Sequence, residues 1–348
     1  MNPYILATLL FSLGLGMTTT FASTHWLLAW MGLEMSTLAI IPLMAQHHHP
    51  RAIEATTKYF LIQATAAAML LFASTTNAWL SGQWEIQQAS HPIPVMMVTL
   101  ALGLKLGLAP MHAWLPDVLQ GLDLVTGLIL ATWQKLAPLA LLIQIQPTNT
   151  STLIALGLAS ILVGGWGGLN QTQLRKILAY SSIAHLGWMV LILQFSPTLT
   201  FLALIAYLIM TPSVFLTFKL NNTTTINALA SSWSKYPTIT SIIPLTLLSL
   251  GGLPPLTGFM PKWLILQDLT KQQLPITASL AALSTLLSLY FYLRLTYAMT
   301  LTLSPNNPPG STPWRLLSKQ PVLLLAIVTS STISLLPLTP AAMAYLVY

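Results

Sequence analysis

Seven ionisable side chains stand inside otherwise apolar runs of this sequence: Glu34, Lys105, His112, Lys135, His185, Lys262 and Arg294. Carboxylates, ammonium groups and imidazoles placed this way can hold a proton and hand it on. Inside a bilayer such groups are costly, so they typically mark ion paths rather than decoration. Glu34, in LAWMGLEMSTLAII, lies near the middle of its apolar run with no nearby end to snorkel toward. Lys105 sits one turn before an interruption, and together with Glu34 it suggests a buried ion pair. Lys135, in ATWQKLAPLALL, is well inside its own run and close to Pro138. Lys262 directly follows a second interruption, in GFMPKWLIL. His112 and His185 can shuttle protons because imidazole changes charge near neutral pH. A hydrogen-bonded core histidine is the equal alternative for both. Arg294 reads as a structural pair, and Asp117 and Asp123 as loop-facing.

The element that must position Lys105 is LGLKLGLAPMHAWLPD, Leu102 to Asp117. Proline inside a helix removes a hydrogen bond and clashes with the preceding turn, so Pro110 and Pro116 with Gly107 are expected to interrupt it. Within a bilayer, backbone groups freed in this way must be covered by protein or water. The expected result is a polar pocket near mid-membrane.

The rest of the chain supports a membrane setting. Of 348 residues, 55% are apolar and 5% charged, a composition that excludes soluble globular and disordered classes. Many runs reach the ~20 residues needed to cross the hydrocarbon layer. Apolar windows between polar or Pro/Gly punctuation give about eleven spans: 3–23, 26–45, 57–80, 93–120, 124–145, 150–169, 174–195, 198–219, 238–270, 275–301 and 320–346. If the loops alternate sides, one side holds Arg51, Lys58, Arg175, Lys176, Lys219, Lys235, Arg315 and Lys319, and the other only Lys271. That bias puts the N-terminus inside and Tyr348 outside.

A repeat underlies the order of spans. Residues 107 to 117 read GLAPMHAWLPD, and residues 252 to 262 read GLPPLTGFMPK. Gly, Leu and both aligned prolines agree, and each copy falls inside a span. Five spans per unit would insert successive copies with opposite topology. The expected fold is therefore all-α and polytopic, one transmembrane domain over 1–348. It would comprise repeat one at about 1–147, repeat two at about 148–303, an extra C-terminal helix at about 320–346, and two discontinuous helices.

Several chemistries are excluded by the residues. The chain has no cysteine, so thiolate-bound iron–sulfur clusters, disulfides and Cys zinc sites are not expected. The glycines at 14 and 16, and at 165 and 167, fail G-x-G-x-x-G because Thr19 and Asn170 hold the third positions. His47, His48 and His49 read as a solvated loop, with metal binding a weak option. The net charge of +7 comes from scattered residues with no basic run, which argues against nucleic acid. At the N-terminus, MNPYILATLLFSLGLG has no basic n-region, so no cleaved leader is expected.

The pattern K-x-x-x-x-P-x-H-x-W-x-P-D at residues 105 to 117 closely resembles the broken helix of the antiporter-like membrane subunits of respiratory complex I and of the related multi-subunit cation/proton antiporters. GLPPLTGFMPKW resembles the family's other discontinuous helix, and Glu34 and Lys135 match its glutamate and lysine positions. The resemblance covers nearly the whole chain. It implies a proton-translocating subunit of the enzyme that passes electrons from NADH to ubiquinone, with Glu34, Lys105, Lys135 and Lys262 in proton transfer and His112 and His185 secondary. It implies no cofactor or metal bound here; NADH, flavin, iron–sulfur clusters and ubiquinone would belong to partner subunits. The short MNP start and about eleven spans are similar to members from animal mitochondria, where members elsewhere carry about three more spans at the start. The implied partners are neighbouring antiporter-like chains of the membrane arm, a small chain covering the shortened first half, and the lipid of the mitochondrial inner membrane, with the N-terminus on the matrix side. A cation/proton antiporter subunit of the Mrp type and a purely structural membrane scaffold are the rival readings.

Overall fold

A computed structural model describes the chain except for residues 1, 47, 89–90, 148–149, 235, 303–321 and 348. The described residues fold as helices in the order α1 Pro3–Ala22, α2 Trp26–Met44, α3 Pro50–Ser81, α4 Pro92–Leu106, α5 Trp114–Gly121, α6 Leu124–Ile145 and α7 Thr150–Gly167. There follow α8 Leu174–Ile192, α9 Pro197–Asn221, the short α10 Ile226–Ala230, α11 Pro237–Gly251, α12 Phe259–Lys271, α13 Pro275–Thr300, α14 Leu323–Ser334 and α15 Thr339–Val347. This is an all-α, multi-pass membrane protein. Seven helices (α1, α2, α3, α6, α7, α9 and α13) are long and apolar enough to cross a membrane. With α8, the interrupted pairs α4/α5 and α11/α12, and the bent C-terminal pair, they account for the expected set of about eleven spans.

Proline sets many of the starts. Pro3, Pro50, Pro92, Pro197, Pro237 and Pro275 each open a helix, at the turn where the missing N–H would have no partner anyway. This explains why α3 begins at Pro50 rather than near residue 57: His49 Nδ1 accepts from the Arg51 amide at 3.2 Å and caps the added turns. The C-terminal span is not straight. Its two segments, Leu323–Ser334 and Leu336–Tyr345, meet at 67°, with Pro337 and Pro340 beside the bend. Residues 320 and 321, at the expected start of that span, lie outside the described residues, as do His47, Lys235, Arg315, Lys319 and Tyr348.

The two repeated segments adopt the same local geometry. Helix α4 ends at Gly107, whose φ is 78°, and its amide donates to Gly103 O at 2.9 Å while Leu108 N reaches the same carbonyl. Helix α11 ends at Gly252, φ 82°, whose amide donates to Leu248 O at 3.1 Å while Leu253 N reaches the same carbonyl. Only glycine takes this left-handed conformation without steric cost, and it satisfies carbonyls that the helix end leaves open. Trp114 and Phe259, 145 positions apart, are each the first residue of the helix that resumes. Pro116 and Pro261 do not break anything. They stand in the first turns of α5 and α12, a place proline tolerates. The interruption in the first copy thus comes from Gly107 and Pro110, and the expectation that Pro116 shares in it is corrected.

Two compact units divide the chain, residues 1–159 and 160–348, with the boundary inside α7. In the first, α1 packs on α2, and α3 packs on α2, α4 and α5. Gly16 and Gly32 let α1 and α2 meet backbone to backbone: a Cβ at Gly16 would stand 2.7 Å from Gly32 O. In the second, α9 packs on α8, α11, α12 and α14, and α11 on α13. Each unit also has one isolated antiparallel bridge between the residue preceding its second helix and the loop following its third. These are His25 with Glu85 and Gln173 with Thr225.

A candidate proton-carrying site at the interrupted helices

Helix α4 carries Lys105 in its last turn, and the αL stop at Gly107 ends the helix just beyond it. Lys105 Nζ lies 3.3 Å from Glu34 Oε1, donated from α2. The lysine side chain is 1% exposed and the glutamate 23%, so the ammonium depends on this carboxylate whereas the carboxylate still reaches outward. At an effective dielectric of ~20, unit charges at this separation attract by about 5 kcal/mol, and removing one member of such a pair strands the other.

Beside the pair is a narrow cavity with ≈ 10 Å³ of room for water centres, about what one water molecule needs. Its walls include Lys105, Lys135, Tyr59, Gln63, Gln134 and Ser36. Lys135 is buried on α6, so the two lysines share one cavity although 30 positions separate them in the sequence. Gln134 Nε2 donates to Ser36 O at 3.0 Å and ties α6 to α2. Trp114 Nε1 donates to Leu104 O at 3.2 Å across the interruption, and its ring meets Tyr59 with centroids 5.8 Å apart. Three of the sequence candidates, Glu34, Lys105 and Lys135, therefore come together. Sequence reasoning missed Tyr59, Gln63 and Gln134. The signal for the first two is their i, i+4 spacing on an apolar helix, which puts a hydroxyl and an amide on one face.

His112 stands elsewhere. It lies partly exposed within the interruption, Nδ1 3.2 Å from Pro110 O, and does not line the Lys105–Lys135 cavity. Asp117, at the start of α5, is 3.6 Å from Lys58, which also pairs with Glu54 at 2.7 Å. All three are well exposed, so the network contributes little to stability.

In the second unit Lys262, in the first turn of α12, folds back across the interruption and donates to Gly251 O at 2.8 Å. A cation on the final carbonyls of α11 also complements that helix's negative end. His185, on α8, stacks at a tilt against Tyr207 of α9, centroids 5.7 Å apart. Arg294 Nη1 donates to Leu169 O at 2.6 Å, so the partner of this structural cation is a backbone carbonyl. Among the described residues no three His, Asp or Glu side chains gather in a way that could hold a metal.

The family described as NADH:quinone oxidoreductase/Mrp antiporter, transmembrane, matches residues 23–288, and the NADH dehydrogenase subunit 2 C-terminus matches residues 289–343. NADH-ubiquinone oxidoreductase chain 2 of Tetraodon nigroviridis is 73% identical over 340 residues, covering 98% of each chain. The protein of that name from Salmo salar is 71% identical over 342 residues, again 98% of each. The chain belongs to the NADH-ubiquinone oxidoreductase chain 2 family. Among solved structures, a chain of respiratory complex I from Thermus thermophilus superposes with TM-score 0.85 at 28% identity, over 97% of this chain and 79% of that one. A chain of the Mrp complex from Dietzia, at 16% identity and TM-score 0.81, shares the fold. The interrupted helices of this chain 2 family member, with their lysines, are thus built on a framework common to redox-driven and antiporter complexes.

Proposed function

We propose that this chain moves protons across the mitochondrial inner membrane as a subunit of NADH:ubiquinone oxidoreductase, with Glu34, Lys105, Lys135 and Lys262 as the principal carriers and His112 and His185 in secondary roles. The observation that supports it most is the Lys105–Glu34 pair at the end of an interrupted helix, with Lys135 on the same water-sized cavity. Electron transfer from NADH to ubiquinone takes place in partner subunits, which hold the flavin, iron–sulfur clusters and quinone. The neighbours are other antiporter-like chains of the membrane arm and a small chain over the shortened first half. The N-terminus faces the matrix, and residues 1–147 and 148–303 form two inverted repeats.

The physical cycle follows from the pair. When Glu34 and Lys105 are in contact, the carboxylate stabilises the ammonium. Separation to ~8 Å would reduce the attraction from about 5 to about 2 kcal/mol, releasing the Lys105 proton toward Lys135 through the cavity. The difference, about 3 kcal/mol, only just exceeds the ~2.3 kcal/mol that one charge costs per 100 mV. Several coupled sites are therefore needed for a full stroke, and Lys262 serves as one of them. Charged lysines repel a metal cation, which disfavours Na⁺ or K⁺ exchange through the same path.

The test is Lys135→Ala in assembled complex, with NADH-driven proton uptake measured in sealed vesicles with and without Na⁺. Loss of proton uptake in both media, with assembly intact, supports the proposal. Unchanged uptake would return the chain to a scaffold role, and uptake that required Na⁺ in the parent complex would favour the antiporter reading.

A further inference from the structure

A buried pair of tyrosines lies between two of the proton carriers named above. Tyr207 on α9 and Tyr292 on α13 are each 1% exposed. Tyr207 stacks on His185 and its hydroxyl meets Ser182. Because Ser182 Oγ donates its only proton to Ala179 O at 2.7 Å, the tyrosine must be the donor in that contact. The ring of Tyr292 lies against Gly251, its Cδ2 3.6 Å from where a Cβ would stand. Gly251 is the residue whose carbonyl receives the Lys262 ammonium. The other end of Tyr292 points toward Ser181, the neighbour of Ser182, and its hydroxyl has no hydrogen-bond partner of ordinary geometry. In order, the side chains run His185, Tyr207, Tyr292, Lys262, contributed by α8, α9, α13 and α12.

A buried hydroxyl without a partner is costly to stability, and a phenylalanine of the same shape avoids the cost. A tyrosine kept at such a place has its hydroxyl for another reason. A phenol is both donor and acceptor. It can take a proton on its oxygen from one side while its own proton leaves on the other, with no net change in charge and no bond other than O–H formed or broken. We propose that Tyr292 and Tyr207, with ordered water completing the contact at Tyr292, form a hydroxyl relay that carries protons between His185 and Lys262 in the second unit. The inference rests on the reading of His185 and Lys262 as proton carriers.

The experiment uses intact complex carrying Tyr292→Phe, Tyr207→Phe or Lys262→Ala, and measures assembly, thermal unfolding and proton uptake per NADH oxidised. The relay predicts that Tyr292→Phe assembles, unfolds at or above the parent temperature, and lowers coupled proton uptake about tenfold. Tyr207→Phe is expected to do the same to uptake, and Lys262→Ala to abolish it. Normal uptake in both tyrosine variants with uptake lost in Lys262→Ala overturns the relay and leaves the carrier role of Lys262 standing. Normal uptake in Lys262→Ala overturns both. If neither phenylalanine variant assembles, the hydroxyls are structural and the relay is wrong.

Discussion

Shortening or neutralising Glu34 should grade the coupling in a defined order. Lys105 Nζ and Glu34 Oε1 are 3.3 Å apart, and the lysine side chain is 1% exposed, so water cannot replace the carboxylate. Glu34→Asp withdraws the carboxylate by one carbon–carbon bond, about 1.5 Å. At an effective dielectric of ~20 the attraction then falls from about 5 to about 3.5 kcal/mol. A loss of about 1.5 kcal/mol is about tenfold in the equilibrium that holds the pair together. Glu34→Gln keeps the shape and removes the charge, stranding the ammonium at a cost of about 3–5 kcal/mol. The assay is proton uptake per NADH oxidised in sealed vesicles, normalised to assembled complex. The expected order is parent above Glu34→Asp, and Glu34→Asp above Glu34→Gln, with the last near background. Equal uptake in all three, or a glutamine variant that outperforms the aspartate, would refute the electrostatic reasoning.

Two further substitutions probe how the interruptions hold their lysines. At Gly252 the φ of 82° is itself strained for alanine, and a Cβ there would stand 3.0 Å from Lys262 Nζ. Gly252→Ala should therefore cost about 1–2 kcal/mol from the left-handed backbone alone, lower the unfolding temperature, and reduce proton uptake by displacing Lys262. Retained uptake would show that the lysine's position on Gly251 O is immaterial. Lys58→Ala removes contacts with Glu54 and Asp117 that are all well exposed. It should change stability by less than about 1 kcal/mol and leave uptake unaltered, and a large loss in either would mean that this network closes α5 on α3.

Much of the architecture was legible because its signals are local. Apolar length gave the spans, and the shared G-L-x-P segment located both interruptions, since a left-handed helix stop followed by proline needs those residue types. Pro116 misled because proline has opposite meanings inside a helix and in its first turn, and only the true start at Trp114 separates the two. The bend between α14 and α15 was missed for a related reason: Pro337 and Pro340 lie in a run apolar enough to read as one span. Within the site, Glu34 and Lys105 could be paired from their isolation in apolar helices. The placement of Lys135 on the same cavity could not, because it depends on how α6 packs against α2 and α4. Tyr59, Tyr207 and Tyr292 gave no signal at all, since a tyrosine in an apolar helix reads as core until its neighbours are known.

Proton uptake per NADH oxidised in complex carrying Lys105→Ala, with assembly quantified on the same sample, tests the central claim most directly. Lys105 ends the interrupted helix, carries the ion pair and lines the cavity it shares with Lys135. The account predicts normal assembly with turnover or proton uptake lost. Normal assembly with normal uptake would contradict it and make Lys105 a structural charge.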